Sequence, residues 1–572
     1  MIGIKFIRNK KTFLKNNLIW FLLSSFIVVN LYFVRKGGVT YDEPGYRFGS
    51  KIIIQTLQGI INFDFTLARS YYSDLEYYGQ LLLMPAYLFS HFTSTYLFRD
   101  LDMYFINFFS YDDKYYFFSH VFLTIYIAVL LFFIYKLIKQ QRNTQFALLF
   151  ITFLILTPSF NGHSLFNFKD IPFALHFFIV ILYIEKYFIK INESKNINKK
   201  EIFLFGLIFG ALLNIRINSI PFIGLFILFY APKIFELKKL KEYLILYFQV
   251  GLVGLSFLIL LTPSMWIEPI SWWKLAIENQ FLLKWPGSTL VNGEFIVATE
   301  MTYSYLLTFF LYKLPINFLI LIFVFLPLMF LFKNINDFSK KCLYLIISVN
   351  ILFIIFKPTA YDGIRQYLFL ILPIVYISLE SILSIQNKKR IFNFVIVINL
   401  IYLLITQISL GPYKYTYFNE FVNEDNISKS CENIDGCGDW ATDYWGFSGK
   451  EIANYINNNL NEGFLLICRP DISVRSYLDD EKTNFVYNNL KDKIDTRKLN
   501  YTTSDTTVLR DLEIKSFYMV TFHRPRLNEN SCLIDPNIEP IFKSMKCEDI
   551  FINSTNLRNK EINLSYLKYC NL

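Results

Sequence analysis

The chain has 572 residues, 54% of them hydrophobic and 19% aromatic, and 18% are charged, against about a quarter in soluble domains. The charges are sparse over residues 1–411, whereas 412–572 are rich in Asn, Asp, Glu and Lys, which divides the chain into a membrane domain and a water-soluble one. The formal net charge of +10 does not point to nucleic acid, because the basic residues gather between apolar runs, where membrane topology accounts for them.

A crossing helix needs about 20 mostly apolar residues. In chain order the candidates are 17–34, 115–136, 145–161, 171–189, 202–215, 217–232, 242–263, 316–332, 342–357, 367–385 and 391–411. The fifth and sixth are short and meet at Asn214-Ile215-Arg216, a junction suited to a helical hairpin. Lys5, Arg8, Lys10, Lys11 and Lys15 precede the first run, and every second loop after it is basic, as around Lys136, Lys190, Lys238, Lys340 and Lys389. The positive-inside rule then places the N-terminus in the cytoplasm and residues 412–572 outside, for which an odd count of eleven is suitable. The first run lacks a small-residue cleavage site and reads as a retained helix. The expected fold is a polytopic α-helical membrane protein, N-in and C-out, with a small extracytoplasmic α/β domain.

The outer loops hold the unusual residues. A long first loop, 35–114, opens with Tyr41-Asp42-Glu43-Pro44-Gly45-Tyr46. Phe48, Ile52, Ile53, Leu57, Ile60 and Ile61 then recur at helical spacing, as in an amphipathic helix lying in the membrane interface. Residues 79–98 form a second apolar stretch, interrupted by Pro85 and His91, that reads as a partly embedded interfacial helix. A brief loop runs from Asn161 through His163 to Lys169-Asp170. Residues 264–315 carry Trp266, Trp272, Trp273, Trp285, Glu268 and Glu300, and tryptophans at a membrane edge are usually interfacial anchors. The last short loop is Tyr361-Asp362-Gly363-Ile364-Arg365-Gln366.

In the C-terminal region, Ser448 with Glu451 three residues on has capping-box spacing and predicts a helix over 449–460. Residues 464–468 and 516–522 read as buried strands. Six of the seven cysteines, Cys431, Cys437, Cys468, Cys532, Cys547 and Cys570, fall here, as disulfides in an oxidising compartment require; the pairing is open. No CxxC pair with neighbouring histidines marks a metal site.

The charged residues at membrane edges form one group: Asp42 and Glu43, Lys169 and Asp170, Arg216, and Asp362 with Arg365. A charge within hydrocarbon costs about 2.5–3.5 kcal/mol, so such residues tend to face cavities and to pair. Pro44-Gly45 fixes a turn after the acidic pair.

The acidic pair after the first helix is similar to the acidic motif of GT-C glycosyltransferases. His163-Ser164-Leu165-Phe166-Asn167-Phe168-Lys169-Asp170-Ile171-Pro172-Phe173-Ala174 resembles the corresponding stretch of the protein O-mannosyltransferase-like family, glycosyltransferase family 39. Tyr361-Asp362-Gly363-Ile364-Arg365 is similar to a segment of bacterial members, with Gln366 where they carry histidine. Thr442-Asp443-Tyr444-Trp445-Gly446 followed by Lys450-Glu451 resembles the start of their C-terminal domain. The resemblance spans roughly residues 15–460. It implies a bacterial inner-membrane enzyme that moves a sugar, with inversion, from a polyprenyl-phosphate donor to an acceptor hydroxyl on a glycan, lipid or protein. It implies Asp42 and Glu43 as the catalytic pair, Asp42 as general base and Glu43 orienting it or binding acceptor, with Lys169, Arg216 and Arg365 at the donor phosphate. His163, Asp170, Asp362 and Glu300 would contact substrate. It fixes no cofactor and leaves a divalent cation open, with Asp170 its candidate ligand. Two other readings of the same pattern are a flippase for a lipid-linked saccharide and a non-catalytic assembly subunit.

Overall fold

The structure, a computed structural model, describes residues 2–64, 77, 80–98, 111–285, 287–327, 335–383, 389–427, 438–486, 494–503, 507–523 and 546–571. Among the described residues, seven helices are long and apolar enough to cross a membrane: Asn17–Lys36, Tyr111–Gln141, Asp170–Asn192, Leu240–Leu260, Asp337–Phe356, Arg365–Leu383 and Lys389–Thr416. The chain is therefore an integral membrane protein.

Of the other four expected crossings, three are short or broken. The run over 145–161 is helical over Thr144–Leu156, 13 residues. Thr157 then turns extended, as a residue before proline tends to, and Pro158 starts a new helix, Pro158–His163. The two runs meeting at Asn214-Ile215-Arg216 are the helices Lys199–Ile215 and Ser219–Leu228, separated by an extended Arg216. The fourth, 316–332, is helical from Ile316, and its residues 328–332 lie outside the described residues. With Tyr305–Lys313, the stretch Ile316–Val324 is long and apolar enough to cross, but the two are bent by 111°, with Pro315 at the break.

Asp170–Asn192 and Arg365–Leu383 form the centre of the bundle, 89% buried over their most apolar stretch, whereas Leu240–Leu260 and Lys389–Thr416 are 28% buried there and face outward. The two central helices touch through aromatic edges: Phe369 meets Phe173 and Phe177 at centroid distances of 5.5 and 4.9 Å. Lys199–Ile215 packs on Leu240–Leu260 at small residues. A Cβ on Gly210 would fall 2.5 Å from the Gly254 carbonyl oxygen, so glycine is what permits this approach. Outside the bundle, Glu43–Ile61 is a helix that turns Ile52 and Ile53 inward and leaves Phe48 and Ile61 exposed.

The C-terminal region forms a mixed sheet of six strands. β1 (Ser288–Val291) and β2 (Glu294–Val297) make a separate hairpin. The sheet consists of β3 (Gly463–Ile467), β4 (Thr483–Phe485), β5 (Leu499–Thr503), β6 (Ser516–Phe522), β7 (Lys546–Leu557) and β8 (Lys560–Asn571), in the order β4-β5-β3-β6-β8-β7. The first four in that order run parallel, β8 is antiparallel to β6, and β7 is antiparallel to β8. β3 is the near-continuous apolar run Phe464–Ile467 that a strand covered on both faces requires. The helix Gly449–Asn459 covers one face through Ile452, Ala453 and Ile456, and Tyr115 and Tyr116 of Tyr111–Gln141 join the same cluster. A buried ion pair, Lys450 Nζ to Asp113 at 2.6 Å, ties that helix to the bundle. Ser448 does not cap it as the spacing suggests; its hydroxyl is drawn to Asp443 and Ser565 instead. Cys547 is bonded to Cys570 across β7 and β8, and Cys468 is also disulfide-bonded. Cys342 is a buried free thiol. Cys431, Cys437 and Cys532 lie outside the described residues.

Candidate active site

Asp42 stands at the N-terminus of Glu43–Ile61, where an aspartate ordinarily accepts a backbone N–H of the first turn. Here its side chain makes no such bond. Its Oδ2 instead accepts from Arg365 Nη1 at 3.2 Å and from the Tyr46 hydroxyl at 3.3 Å. Glu43 is turned the other way. Its Oε2 accepts from the Thr40 N–H at 2.6 Å and the Thr40 hydroxyl at 2.9 Å, and its Oε1 lies 2.5 Å from His120 Nε2. Successive helical residues point about 100° apart, so the neighbours serve different surroundings. The loop leading to Asp42 is pinned by Gly38 N–H to the Phe447 carbonyl at 2.8 Å and Tyr41 N–H to the Trp445 carbonyl at 3.0 Å.

The second group is built by Asn167. Its Oδ1 accepts from the N–H groups of Lys169 at 3.1 Å and Asp170 at 2.8 Å, which fixes the amide so that Nδ2 is the donor. That nitrogen reaches Asp170 Oδ2 at 2.9 Å and His163 Nδ1 at 3.2 Å. His163 therefore carries its proton on Nε2, 3.1 Å from the Tyr444 hydroxyl. Burial lowers His163 to about 3, so the ring is neutral at ordinary pH. Asp170 begins its helix, where the dipole favours a carboxylate, and its Oδ1 receives Arg216 Nη2. Lys169 places its ammonium 4.7 Å from the centre of the Tyr46 ring. Burial lowers Lys169 to about 8, against the opposing pull of Asp42.

Arg365 begins a central helix and is held from several sides. Its guanidinium lies 4.6 Å from the Trp445 ring centre and 4.7 Å from that of Tyr361, with Asp362 Oδ2 3.6 Å from its Nε. Asp362 and Gly363 both take positive φ, 57° and 72°, which makes the sharp turn before it.

These elements enclose a cavity of about 310 Å³ lined by Asp42, Tyr46, Lys169, Asp170, Arg216 and Arg365. Five of the nine residues singled out from the sequence thus share one wall, with three cations against two carboxylates. Asp42 is the more accessible acid, its side chain 31% exposed against 4% for Asp170. Glu43, His163, Asp362 and Glu300 do not line it. Glu43 and His163 are buried in the hydrogen bonds given above, Asp362 sits behind Arg365 beside Trp440 and Tyr444, and Glu300 is exposed on a short turn. Asp170, the residue considered for a divalent cation, gives its oxygens to Arg216 and Asn167. Among the described residues no group of three His, Cys, Asp or Glu is placed to hold a metal ion.

The remaining wall was not foreseen. Asn279 and Gln280 come from the helix Pro269–Phe281, Asn218 from the turn after Arg216, and Phe222, Tyr367 and Phe369 supply apolar surface. Trp285 also lines the cavity, its ring tilted by 34° against that of Tyr361 at a centroid distance of 4.3 Å, and Trp272 is buried.

No family model matches the chain, and no curated protein does. Among solved structures it is similar to ArnT from Cupriavidus metallidurans in the apo state, at 10% identity and a TM-score of 0.46, covering 96% of this chain and 98% of that one. It is also similar to ArnT from the same organism bound to undecaprenyl phosphate, at 8% identity and a TM-score of 0.45 over the same shares.

Proposed function

We propose that the chain is a membrane glycosyltransferase of the GT-C type, resembling the protein O-mannosyltransferase-like family, that takes its sugar from a polyprenyl-phosphate donor. One observation carries this reading: a single cavity holds an accessible carboxylate, Asp42, together with Lys169, Arg216 and Arg365. A phosphate that leaves with its bonding electrons needs positive charge, and cations in a partly buried site stabilise it more than they would in water. The acceptor hydroxyl needs a base, and Asp42 takes its proton as the oxygen attacks the anomeric carbon and the bond to the phosphate oxygen breaks. One displacement with one base inverts the anomeric centre; a second displacement would need a carboxylate nucleophile. Asp170, held by Arg216 and Asn167, positions the arginine. Glu43 supports the turn that carries Asp42.

In this reading the chain sits in a bacterial inner membrane with its N-terminus in the cytoplasm. The cavity opens toward the outer face, where residues 412–572 form the extracytoplasmic domain. The acceptor is a glycan, a lipid or a protein hydroxyl.

The test is incubation of the purified protein in detergent with a panel of polyprenyl-phosphate sugars, with and without crude envelope acceptors. Transfer or release of sugar from one donor supports the reading. Binding without release, with movement of the same lipid across liposomes, would instead establish a flippase.

A further inference from the structure

Tyr444 and Trp445 are consecutive residues of the segment that leads into the sheet, and neither lines the cavity. Each nonetheless reaches one of its arginines. The buried Trp445 indole lies 4.6 Å from the Arg365 guanidinium. The Tyr444 hydroxyl is hydrogen-bonded to His163, His163 to Asn167, Asn167 to Asp170, and Asp170 to Arg216.

The turn that carries this pair has a fixed shape. Asp443 accepts the N–H groups of Phe447 and Ser448, both at 2.9 Å, and also the hydroxyls of Ser448 and Tyr415. Gly446 takes φ +73°, and a Cβ there would fall 2.3 Å from Pro470 Cγ. The backbone of Trp445 also receives the Tyr41 N–H, one residue before Asp42.

We propose that the Tyr444-Trp445 turn is a positioning element of the anion site: Trp445 orients Arg365 by stacking, and Tyr444 fixes Arg216 through His163, Asn167 and Asp170. A planar guanidinium held on an aromatic face loses little freedom when it pairs with phosphate. A site of this kind depends on the residues that lock its rotamers. The segment outside the bundle thus acts on the cavity through its arginines. The inference rests on reading the cavity as a lipid-phosphate site.

The experiment uses the full chain in nanodiscs, with a polyprenyl phosphate lacking sugar as the probe. Trp445→Leu is expected to weaken probe binding about tenfold, as loss of one desolvated stacking contact would. Trp445→Phe, which keeps an aromatic face, is expected to stay within about threefold of wild type. Tyr444→Phe, which removes one oxygen, is expected to weaken it about threefold. Because Trp445 acts through Arg365, the Arg365→Gln/Trp445→Leu double variant is expected to bind no more weakly than Arg365→Gln alone. With a sugar donor, KM is expected to rise more than kcat falls.

Wild-type affinity in Trp445→Leu, or losses that multiply in the double variant, would overturn the proposal. If Trp445→Leu fails to fold, an aromatic-to-smaller-aromatic change that binds as weakly as Arg365→Gln overturns it equally. Wild type that binds the probe but releases no sugar would sink the transferase reading and leave the positioning result standing. Wild type that binds no probe would overturn both.

Discussion

Arg365 donates to Asp42 across 3.2 Å, although 323 residues separate them in the chain. The contact joins the turn after the first helix to the start of a central helix and places the candidate base within reach of a candidate phosphate-binding cation. The consequences of this arrangement can be checked one residue at a time.

Glu43 is the adjacent acid, and its expected behaviour is different. It is buried against Thr40 and His120 and does not line the cavity. Glu43→Ala leaves a buried N–H and a buried imidazole without their partner, at a cost of about 3 kcal/mol. Equilibrium unfolding in mixed micelles is expected to show that loss, while the folded fraction binds donor lipid within about threefold of wild type. Normal stability with abolished turnover would instead give Glu43 a chemical role.

Lys169 is expected to make binding of a phosphate lipid depend on pH. Its folded value is lowered from 10.5 to about 8, chiefly by burial. The ammonium is therefore present below about 8 and is lost as pH rises through it, so affinity for a phosphate lipid is expected to fall between pH 7 and 9. A bound anion favours the charged form and shifts the midpoint upward. Lys169→Arg, whose side chain stays charged, is expected to flatten the profile. An unchanged profile in that variant would remove Lys169 from the phosphate site.

Arg216 and Asp170 are expected to behave as a unit. The Asp170 side chain is only 4% exposed. Removing its partner in Arg216→Gln strands a buried carboxylate, a loss of about 3 kcal/mol. Adding Asp170→Asn is expected to recover much of that stability without restoring donor binding. Additive destabilisation in the double variant would show that the pair is not coupled.

The sequence disclosed most of this site because charged residues at membrane edges are expensive and stand out. Asp42, Lys169, Asp170, Arg216 and Arg365 each lie beside an apolar run and meet at one cavity. Spacing could not show that Glu43 turns away from Asp42, since adjacent positions on a helix end face different neighbours. Nor could it single out Asn279 and Gln280, neutral amides on a short helix with no charge at a membrane edge to mark them. Asn167 left a readable signal in standing three residues before Asp170, but its role as the hub between His163 and Asp170 is a feature of the folded arrangement alone. The helices were legible wherever the apolar run was unbroken. Thr157-Pro158 and the Leu314-Pro315 break were the places where hydrophobicity continued and the backbone did not.

The most direct test of the account is Asp42→Asn in the purified protein, comparing donor binding with sugar transfer. The amide keeps the shape of the side chain but cannot take a proton from an acceptor. The account requires transfer to fall about a hundredfold or more, with the polyprenyl-phosphate sugar still bound. Transfer that persists within a few-fold of wild type, with the donor bound equally well, would contradict it and send the search for the base to another residue.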